Sequence, residues 1–98
     1  MSSPTVSIGL PVYNGGKYLA TAIGAILNQD FEDFELIISD NASTDSTADI
    51  CRQFSESDKR VKYSKVDVNR GAAPNYQRVF HLATGKYFKW TAHDDAPG

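Results

Sequence analysis

The 98-residue chain lacks several features that would assign it at once to a class of protein. Its single cysteine, Cys51, has no partner for an internal disulfide, and no CxxC pair or Cys/His cluster offers a zinc site. Its longest apolar runs, such as residues 36–38, fall far short of the roughly 20 residues that a membrane span needs. No targeting segment is visible at the amino terminus. We therefore expect a cytoplasmic chain with no membrane segment.

An excess of basic charge is also missing. Ten Lys and Arg face twelve Asp and Glu, so the formal charge is -2. Binding a phosphate backbone without sequence preference requires a positive field, and nucleic acid is therefore not an expected partner. The chain also contains neither GxxxxGK[ST] nor GxGxxG. A P-loop and a dinucleotide fingerprint are thereby excluded.

What the sequence does have is an alternation of two apolar patterns. Short apolar runs predict four strands, at residues 6–12, 34–39, 61–65 and 87–91. Apolar residues at helical spacing predict a helix after each of the first three strands. The stripes are Leu19, Ala22, Ile23, Ile26 and Leu27 in the first helix, Thr47, Ile50, Cys51 and Phe54 in the second, and Tyr76, Val79, Phe80 and Ala83 in the third. The order predicts an α/β fold, with one doubly wound parallel sheet between layers of helices.

The ends of these helices carry the residue types that commonly begin and stop helices. Asn14 is predicted as the N-cap of the first helix, and Ser46 with Asp49 as a capping box for the second. Pro74 suits the first turn of the third helix, and Gly85 is predicted to stop it.

Polar side chains follow every predicted strand. In doubly wound sheets, ligands bind beyond the carboxyl ends of the strands, near the point where strand order reverses. Two adjacent carboxylates suit Mg²⁺ or Mn²⁺, which fills its remaining positions with phosphate oxygens and water. The sequence therefore predicts a metal-bridged site at this edge. The strand-end residues are Tyr13, Asn14, Asp40, Asn41, Asp67, Arg70, His93, Asp94 and Asp95.

Several short segments occur in an order that is specific as a set. They are Pro11-Val12-Tyr13-Asn14, the segment from Asp40 to Thr47, Asn69-x-Gly71, Asn75, Ala83-Thr84-Gly85-Lys86-Tyr87 and His93-Asp94-Asp95. Together they resemble the landmarks of the family 2 glycosyltransferases over nearly the whole chain. The resemblance implies a three-layer, Rossmann-like GT-A fold cut after its fourth strand. It further implies that residues 1–98 form one nucleotide-sugar-binding part and that the acceptor-binding half is absent.

The resemblance also implies roles for residues. The parent enzyme would be an inverting, metal-dependent transferase that moves a sugar from a nucleoside diphosphate donor to an acceptor hydroxyl. Asp95 and Asp94 would hold Mg²⁺ or Mn²⁺. The catalytic general base is expected beyond Gly98, so the isolated chain is expected to be inactive. Substrate contacts are implied for Pro11, Tyr13, Asn14, Asp40, Asn41, Arg70 and Asp94.

Two positions depart from the family pattern. Asn41 stands where the family has a second Asp, so an amide oxygen would have to accept the N–H of the base. An amide also donates, which leaves the choice of base open. Ala92 occupies the first position of the family's Asp-x-Asp-Asp element, which makes Asp95 the first choice of metal ligand.

Other interpretations remain at this point. Asp40 and Asn41 also suit a turn into the second helix, and Asp94 and Asp95 also suit a solvated loop. A non-catalytic nucleotide-binding or metal-binding module is the alternative function. A receiver-like signalling domain ranks last, because no lysine follows a later strand in the required place. We also expect self-association as a symmetric dimer through the fourth strand or the helix beside it.

Overall fold

The computed structural model describes residues 4–14, 16–69 and 71–91, which form four strands and three helices in strict alternation. The predicted order of elements is confirmed. No helix in these ranges is both long and apolar enough to cross a membrane; the longest has 12 residues. The elements are β1 (Val6–Val12), α1 (Gly16–Leu27), β2 (Phe34–Asp40), α2 (Thr47–Ser57), β3 (Val61–Lys65), α3 (Ala72–Leu82) and β4 (Tyr87–Trp90).

All strand pairs are parallel, and the sheet order is β3-β2-β1-β4. The chain steps outward from β1 to β3 and then returns to place β4 on the other side of β1. Strand order therefore reverses beside β1, as expected of a doubly wound sheet. Val12 pairs with Asp40, and Asp40 pairs with Lys65, so three strands end at the same level. The α/β prediction is confirmed.

The main core lies between one face of the sheet and helices α1 and α2. Even-numbered residues of β1 and β2 point to this face, because successive strand side chains alternate. Leu19 and Ile23 of α1 and Cys51 of α2 complete the buried cluster, which confirms the stripes predicted for these helices. Its strand members are Ile8, Leu10, Val12, Phe34, Leu36, Ile38 and Val61.

The opposite face of the sheet, which α3 covers, is more polar than the face that packs against α1 and α2. Glu35 is only 2% exposed. Its carboxylate accepts hydrogen bonds from Ser7 Oγ at 2.5 Å, Lys62 Nζ at 2.8 Å and the Thr84 amide at 2.6 Å. Ser7 Oγ in turn accepts from the Gly85 amide at 2.7 Å. One buried carboxylate therefore ties three strands to the segment that leads into β4.

The predicted capping box of α2 is wrong. Ser46 makes no side-chain cap hydrogen bond, and Asp49 instead lies 3.6 Å from Arg52 on the helix surface. Asp45 takes over the role, because its Oδ1 accepts from the Thr47 amide at 2.9 Å. A carboxylate is favourable at a helix N-terminus, where it meets unpaired N–H groups.

Asp45 also serves the start of α1. Its Oδ2 accepts from the Gly16 amide at 3.1 Å. The side-chain oxygen of Asn14, predicted to cap this helix, accepts from the Thr44 amide at 2.7 Å. The Asn14 side chain thus links the loops after β1 and β2.

Two predictions about α3 also need correction. Val79 is buried, but Tyr76 and Phe80 are about half exposed, and the polar Asn75 is buried as well. The rings of Tyr76 and Phe80 contact Trp90 and Phe88 of β4, while Asn75 is hydrogen-bonded to Ser39 of β2. Gly85 does not stop the helix, which ends at Leu82.

An aromatic surface covers β4 and the outer side of α3. It consists of Phe80, Phe88 and Trp90. Within the described residues, β4 pairs with β1 alone. An open strand edge beside exposed apolar rings favours pairing with another chain.

We therefore expect the chain to self-associate through this surface. Phe80 is 58% exposed, so Phe80→Glu should shift the equilibrium toward monomer without disturbing the core. Phe31→Glu, at an exposed phenylalanine outside the surface, is the control. Sedimentation over a concentration series measures the effect. A clean monomer at high protein concentration would contradict it.

Candidate functional site

A cleft of about 250 Å³ opens at the carboxyl ends of β1 and β2. The first turns of α3 form its other wall. This position is where doubly wound sheets bind ligands. The lining residues are Pro11, Val12, Tyr13, Asn41, Asn69, Gly71, Asn75 and Tyr76.

The end of β1 supplies one wall of the cleft. Pro11 and Tyr13 both line it, as their predicted roles require. The Tyr13 side chain is 46% exposed, so its ring is accessible to a ligand. The Val12 carbonyl accepts from the Asn41 amide at 2.9 Å, which holds the ends of β1 and β2 together beneath the ring.

Asn41 is almost fully buried at the base of the cleft. Its Nδ2 donates to Asn69 Oδ1 at 2.8 Å and to the Gly71 carbonyl at 3.1 Å. Asn69 Oδ1 also accepts from the Gly71 amide at 2.8 Å. A carboxylate has no hydrogen to donate to these two oxygens. The side-chain amide of Asn41 therefore suits the loop before α3, which supplies two acceptor oxygens. This gives a physical reason for an Asn at the position where the family has an Asp.

Gly71 begins the turn into α3 with φ of 92°. This left-handed conformation strains residues that carry a Cβ. Glycine adopts this conformation at position 71 without strain, and its carbonyl accepts the hydrogen bond from Asn41.

Asp40 lies below the cleft rather than in its lining. The residue is fully buried, and its Oδ1 accepts from the Ser43 amide at 2.9 Å. Its Oδ2 accepts from Tyr63 Oη at 2.7 Å. Burial and the contact with Asp40 raise the pKa of Tyr63 above its ordinary value, so the phenol stays protonated and donates. In this structure Asp40 holds the loop after β2 in place.

Asn14 is exposed and also lies outside the cleft lining. Its amide donates to Ser43 Oγ at 2.8 Å, while its side chain accepts from Thr44. Of the residues assigned to substrate, the structure therefore brings Pro11, Tyr13 and Asn41 together in the cleft. It places Asn14 and Asp40 in the supporting loops.

The remaining predicted site residues, Arg70, Asp94 and Asp95, lie outside the described residues, as does His93. His93, Asp94 and Asp95 follow β4 in the sequence. The Thr91 amide donates to the Gly9 carbonyl at 2.9 Å, so the chain leaves the sheet next to β1. Within residues 4–14, 16–69 and 71–91, no group of three acidic, His or Cys side chains could hold a metal ion.

Sequence reasoning assigned no ligand role to Asn69, Gly71, Asn75 and Tyr76, although all four line the cleft. The spacing Asn69-x-Gly71 and the polar Asn75 on an apolar stripe were available signals. Tyr76 belongs to the apolar stripe predicted for the third helix, and an aromatic residue at helical spacing usually faces the core.

A second cleft of similar volume lies at the opposite edge of the sheet. Its cationic side chains include Arg60, which pairs with Asp58 at 2.7 Å, and Lys62, which pairs with Glu35 at 2.8 Å. Neighbouring carboxylates thus neutralise Arg60 and Lys62, while Lys59, the third cationic residue of this cleft, is exposed to solvent. Ligands of such sheets bind at the carboxyl edge, which favours the first cleft.

Comparisons with known proteins agree with this geometry. The chain is 34% identical to glycosyltransferase GlyG of Streptococcus pneumoniae over 93 residues, which cover 95% of this chain and 31% of that protein. It superposes on TarS from S. aureus, solved in complex with UDP-GlcNAc, with a TM-score of 0.85 and 26% identity, covering 92% of this chain and 26% of that one. The mannosyltransferase PcManGT from Pyrobaculum calidifontis, in complex with GDP-Man and Mn²⁺, gives a TM-score of 0.84 and 26% identity, covering 96% and 28%.

The chain therefore spans roughly a third of the length of these relatives or less. Its fold is that of the GT-A glycosyltransferases. The family model described as glycosyl transferase family 2 matches residues 7–97, nearly the whole chain. The chain belongs to glycosyl transferase family 2.

Proposed function

We propose that residues 1–98 are the nucleotide-diphospho-sugar-binding part of an inverting, metal-dependent glycosyltransferase. The observation that carries this proposal is the cleft at the carboxyl edge of β1 and β2, lined by Pro11, Tyr13 and Asn41. It has an accessible aromatic ring and a rigid amide base at the place where this fold binds ligands. Relatives bind UDP-GlcNAc and GDP-Man, which supports a nucleotide-sugar donor here.

In this proposal Tyr13 contacts the nucleobase, since its half-exposed ring offers a stacking face. Asn41 fixes the base of the cleft through the Asn69–Gly71 turn. Asp40 and Asn14 hold the loops that shape the site. In this proposal Arg70, which lies outside the described residues, binds the diphosphate.

Two consecutive carboxylates after β4 are a donor set that suits Mg²⁺ or Mn²⁺. Asp95, with Asp94 beside it, would hold the ion. When bound, the ion supplies Lewis-acid stabilisation of the negative charge that develops on the departing diphosphate.

The reaction we propose for the whole protein is attack of an acceptor hydroxyl on the anomeric carbon. The bond to the nucleoside diphosphate breaks on the opposite side, which inverts the configuration. A carboxylate outside residues 1–98 takes the hydroxyl proton as general base.

The test of donor binding is titration calorimetry with UDP and GDP, in Mg²⁺ or Mn²⁺ and in EDTA. We expect weak binding that requires the metal ion, and we expect Asp95→Ala to abolish that metal dependence. Asp30→Ala, at an exposed loop carboxylate, should leave it unchanged. Equal nucleotide affinity with and without the ion would contradict the proposed metal bridge.

We also expect no sugar transfer by the 98-residue chain, since it spans only 26% to 31% of the three relatives compared above. UDP-GlcNAc and GDP-Man, offered with simple sugar acceptors, are the donors to test by release of nucleotide. Turnover by the purified chain would contradict this expectation.

A further inference from the structure

Tyr76 is the second half-exposed aromatic residue of the cleft. It lies in α3, across from the β1 wall that carries Tyr13, and its side chain is 44% exposed. Tyr13 and Tyr76 thus border one cleft from different elements of the fold. A planar ring that enters the cleft has an aromatic neighbour on each of these walls.

The backbone of Tyr76 is fixed by the residue before it. Asn75 is 7% exposed, and its Nδ2 donates to the Ser39 carbonyl at 3.0 Å. Ser39 Oγ donates back to Asn75 Oδ1 at 2.6 Å. The reciprocal pair locks α3 onto β2, which sets the depth at which Tyr76 lies in the cleft.

The ring of Tyr76 is held from the side by Trp90 of β4. Their ring centroids lie 4.9 Å apart with a tilt of 41°. Trp90 itself packs edge-on against Phe88 at 4.6 Å, and Phe88 packs against Phe80 at 5.3 Å. The contact with Trp90 restricts the Tyr76 ring before any ligand arrives, and prior restriction reduces the entropy lost on binding.

The amides at the base of the cleft are committed to the protein itself. Asn75 uses its amide nitrogen and oxygen on Ser39, and Asn41 uses Nδ2 on Asn69 and Gly71. These groups give the cleft a fixed shape, while the exposed faces of the two tyrosines provide its aromatic contact area. Such a site suits a flat heterocycle more than a flexible chain.

We infer that Tyr76 contacts the nucleobase of the bound nucleotide as a second aromatic wall, and that Trp90 is a positioning residue for its ring. This inference rests on the proposed nucleotide-binding function and extends it to a residue of α3.

The experiment measures the dissociation constants of UDP, GDP and UDP-GlcNAc, with Mn²⁺ present, for the wild-type chain, four single variants and one double variant. Tyr76→Ala should weaken binding of the preferred nucleotide on the order of tenfold, and Tyr76→Phe should retain most of it, because the ring face makes the contact. Phe80→Ala is the matched control, since Phe80 lies on the same helix in the same aromatic row but outside the cleft. It should bind like wild type.

Trp90→Leu tests the positioning role. We expect it to weaken binding, and we expect no further loss when it is combined with Tyr76→Ala, because the two act as one unit. Trp90 is the only tryptophan and contacts Tyr76, so its fluorescence should also change when nucleotide binds to the wild-type chain.

The outcomes separate the two proposals. If the wild-type chain binds neither UDP nor GDP, the proposed function and this inference both fall. If wild type binds and Tyr76→Ala binds equally well, only this inference falls. A loss confined to UDP-GlcNAc, with UDP unaffected, would place Tyr76 against the sugar and overturn the nucleobase contact.

Discussion

Glu35→Ala is expected to lower the free energy of unfolding by about 3 kcal/mol, because it removes a buried carboxylate and leaves its partners unpaired. Ser7 and Thr84 lose their acceptor inside the protein, whereas Lys62 is 55% exposed and can turn to water. The decrease in the free energy of unfolding should therefore lie at the low end of the range for breaking a buried ion pair. Urea unfolding followed by circular dichroism measures it. An effect below about 1 kcal/mol would contradict the role assigned to Glu35.

The same carboxylate should make stability depend on pH. Burial raises the pKa of Glu35, but the hydrogen bonds from Lys62, Ser7 and Thr84 outweigh it and lower the pKa to about 2, from an ordinary 4.5. The native state thus binds the proton less tightly than the unfolded state, so the stabilisation is complete above pH 4.5 and is lost as the pH falls toward 2. We expect about 2 kcal/mol of it to be lost by pH 3.

Glu35→Gln should flatten that part of the pH profile, because no charge remains to titrate. Glu56→Gln, at an exposed glutamate of α2, is the matched control and should keep the wild-type slope. Identical slopes in Glu35→Gln and wild type would show that another group causes the pH dependence.

Gly85→Ala is expected to be the second strongly destabilising change, at about 3 kcal/mol. A Cβ at this position would come within 2.7 Å of the Ser7 amide nitrogen and 2.9 Å of the Val6 carbonyl carbon. Both atoms belong to β1, an interior strand, which cannot move without disturbing its pairing with β2 and β4. The hydrogen bond from Gly85 to Ser7 would be strained as well.

Gly24→Ala is the matched control for that substitution. Nothing lies within 4 Å of a Cβ at Gly24, which is inside α1. Alanine favours a helix interior over glycine, so this variant should gain up to about 1 kcal/mol. Thermal unfolding of both variants gives the comparison. Equal melting temperatures for Gly85→Ala and wild type would contradict the tight packing against β1.

The four strands and three helices could be predicted from the sequence because their signals are local. Alternation in Val6–Val12 and the repeat from Leu19 to Leu27 are each contained in one element. The buried role of Glu35 has no such signal, since its partners Ser7, Lys62 and Thr84 lie 27 to 49 residues away along the chain.

The residues of the candidate site also divide into those that a local signal locates and those that depend on distant parts of the chain. Tyr13 and Asn41 follow strands, so the general rule about strand ends locates them. The position of Tyr76 in the cleft could not be predicted in this way. Helical spacing shows that its face of α3 is apolar, but it does not show whether a sheet or a cleft lies opposite that face. Asp45 and Ser46 are neighbours with similar capping propensity, and only the three-dimensional position of the Thr47 amide selects Asp45.

The most direct test of the central claim, that the cleft between β1 and α3 binds the nucleotide, is chemical-shift mapping by nuclear magnetic resonance. A chain of 98 residues permits assignment of its amide signals. Titration with UDP or GDP in the presence of Mg²⁺ should shift the amides of Tyr13, Asn41, Asn69 and Tyr76. The amides of Phe34 and Lys59, at the opposite edge of the sheet, should stay in place. Shifts confined to that opposite edge, or none at saturating nucleotide, would contradict the account.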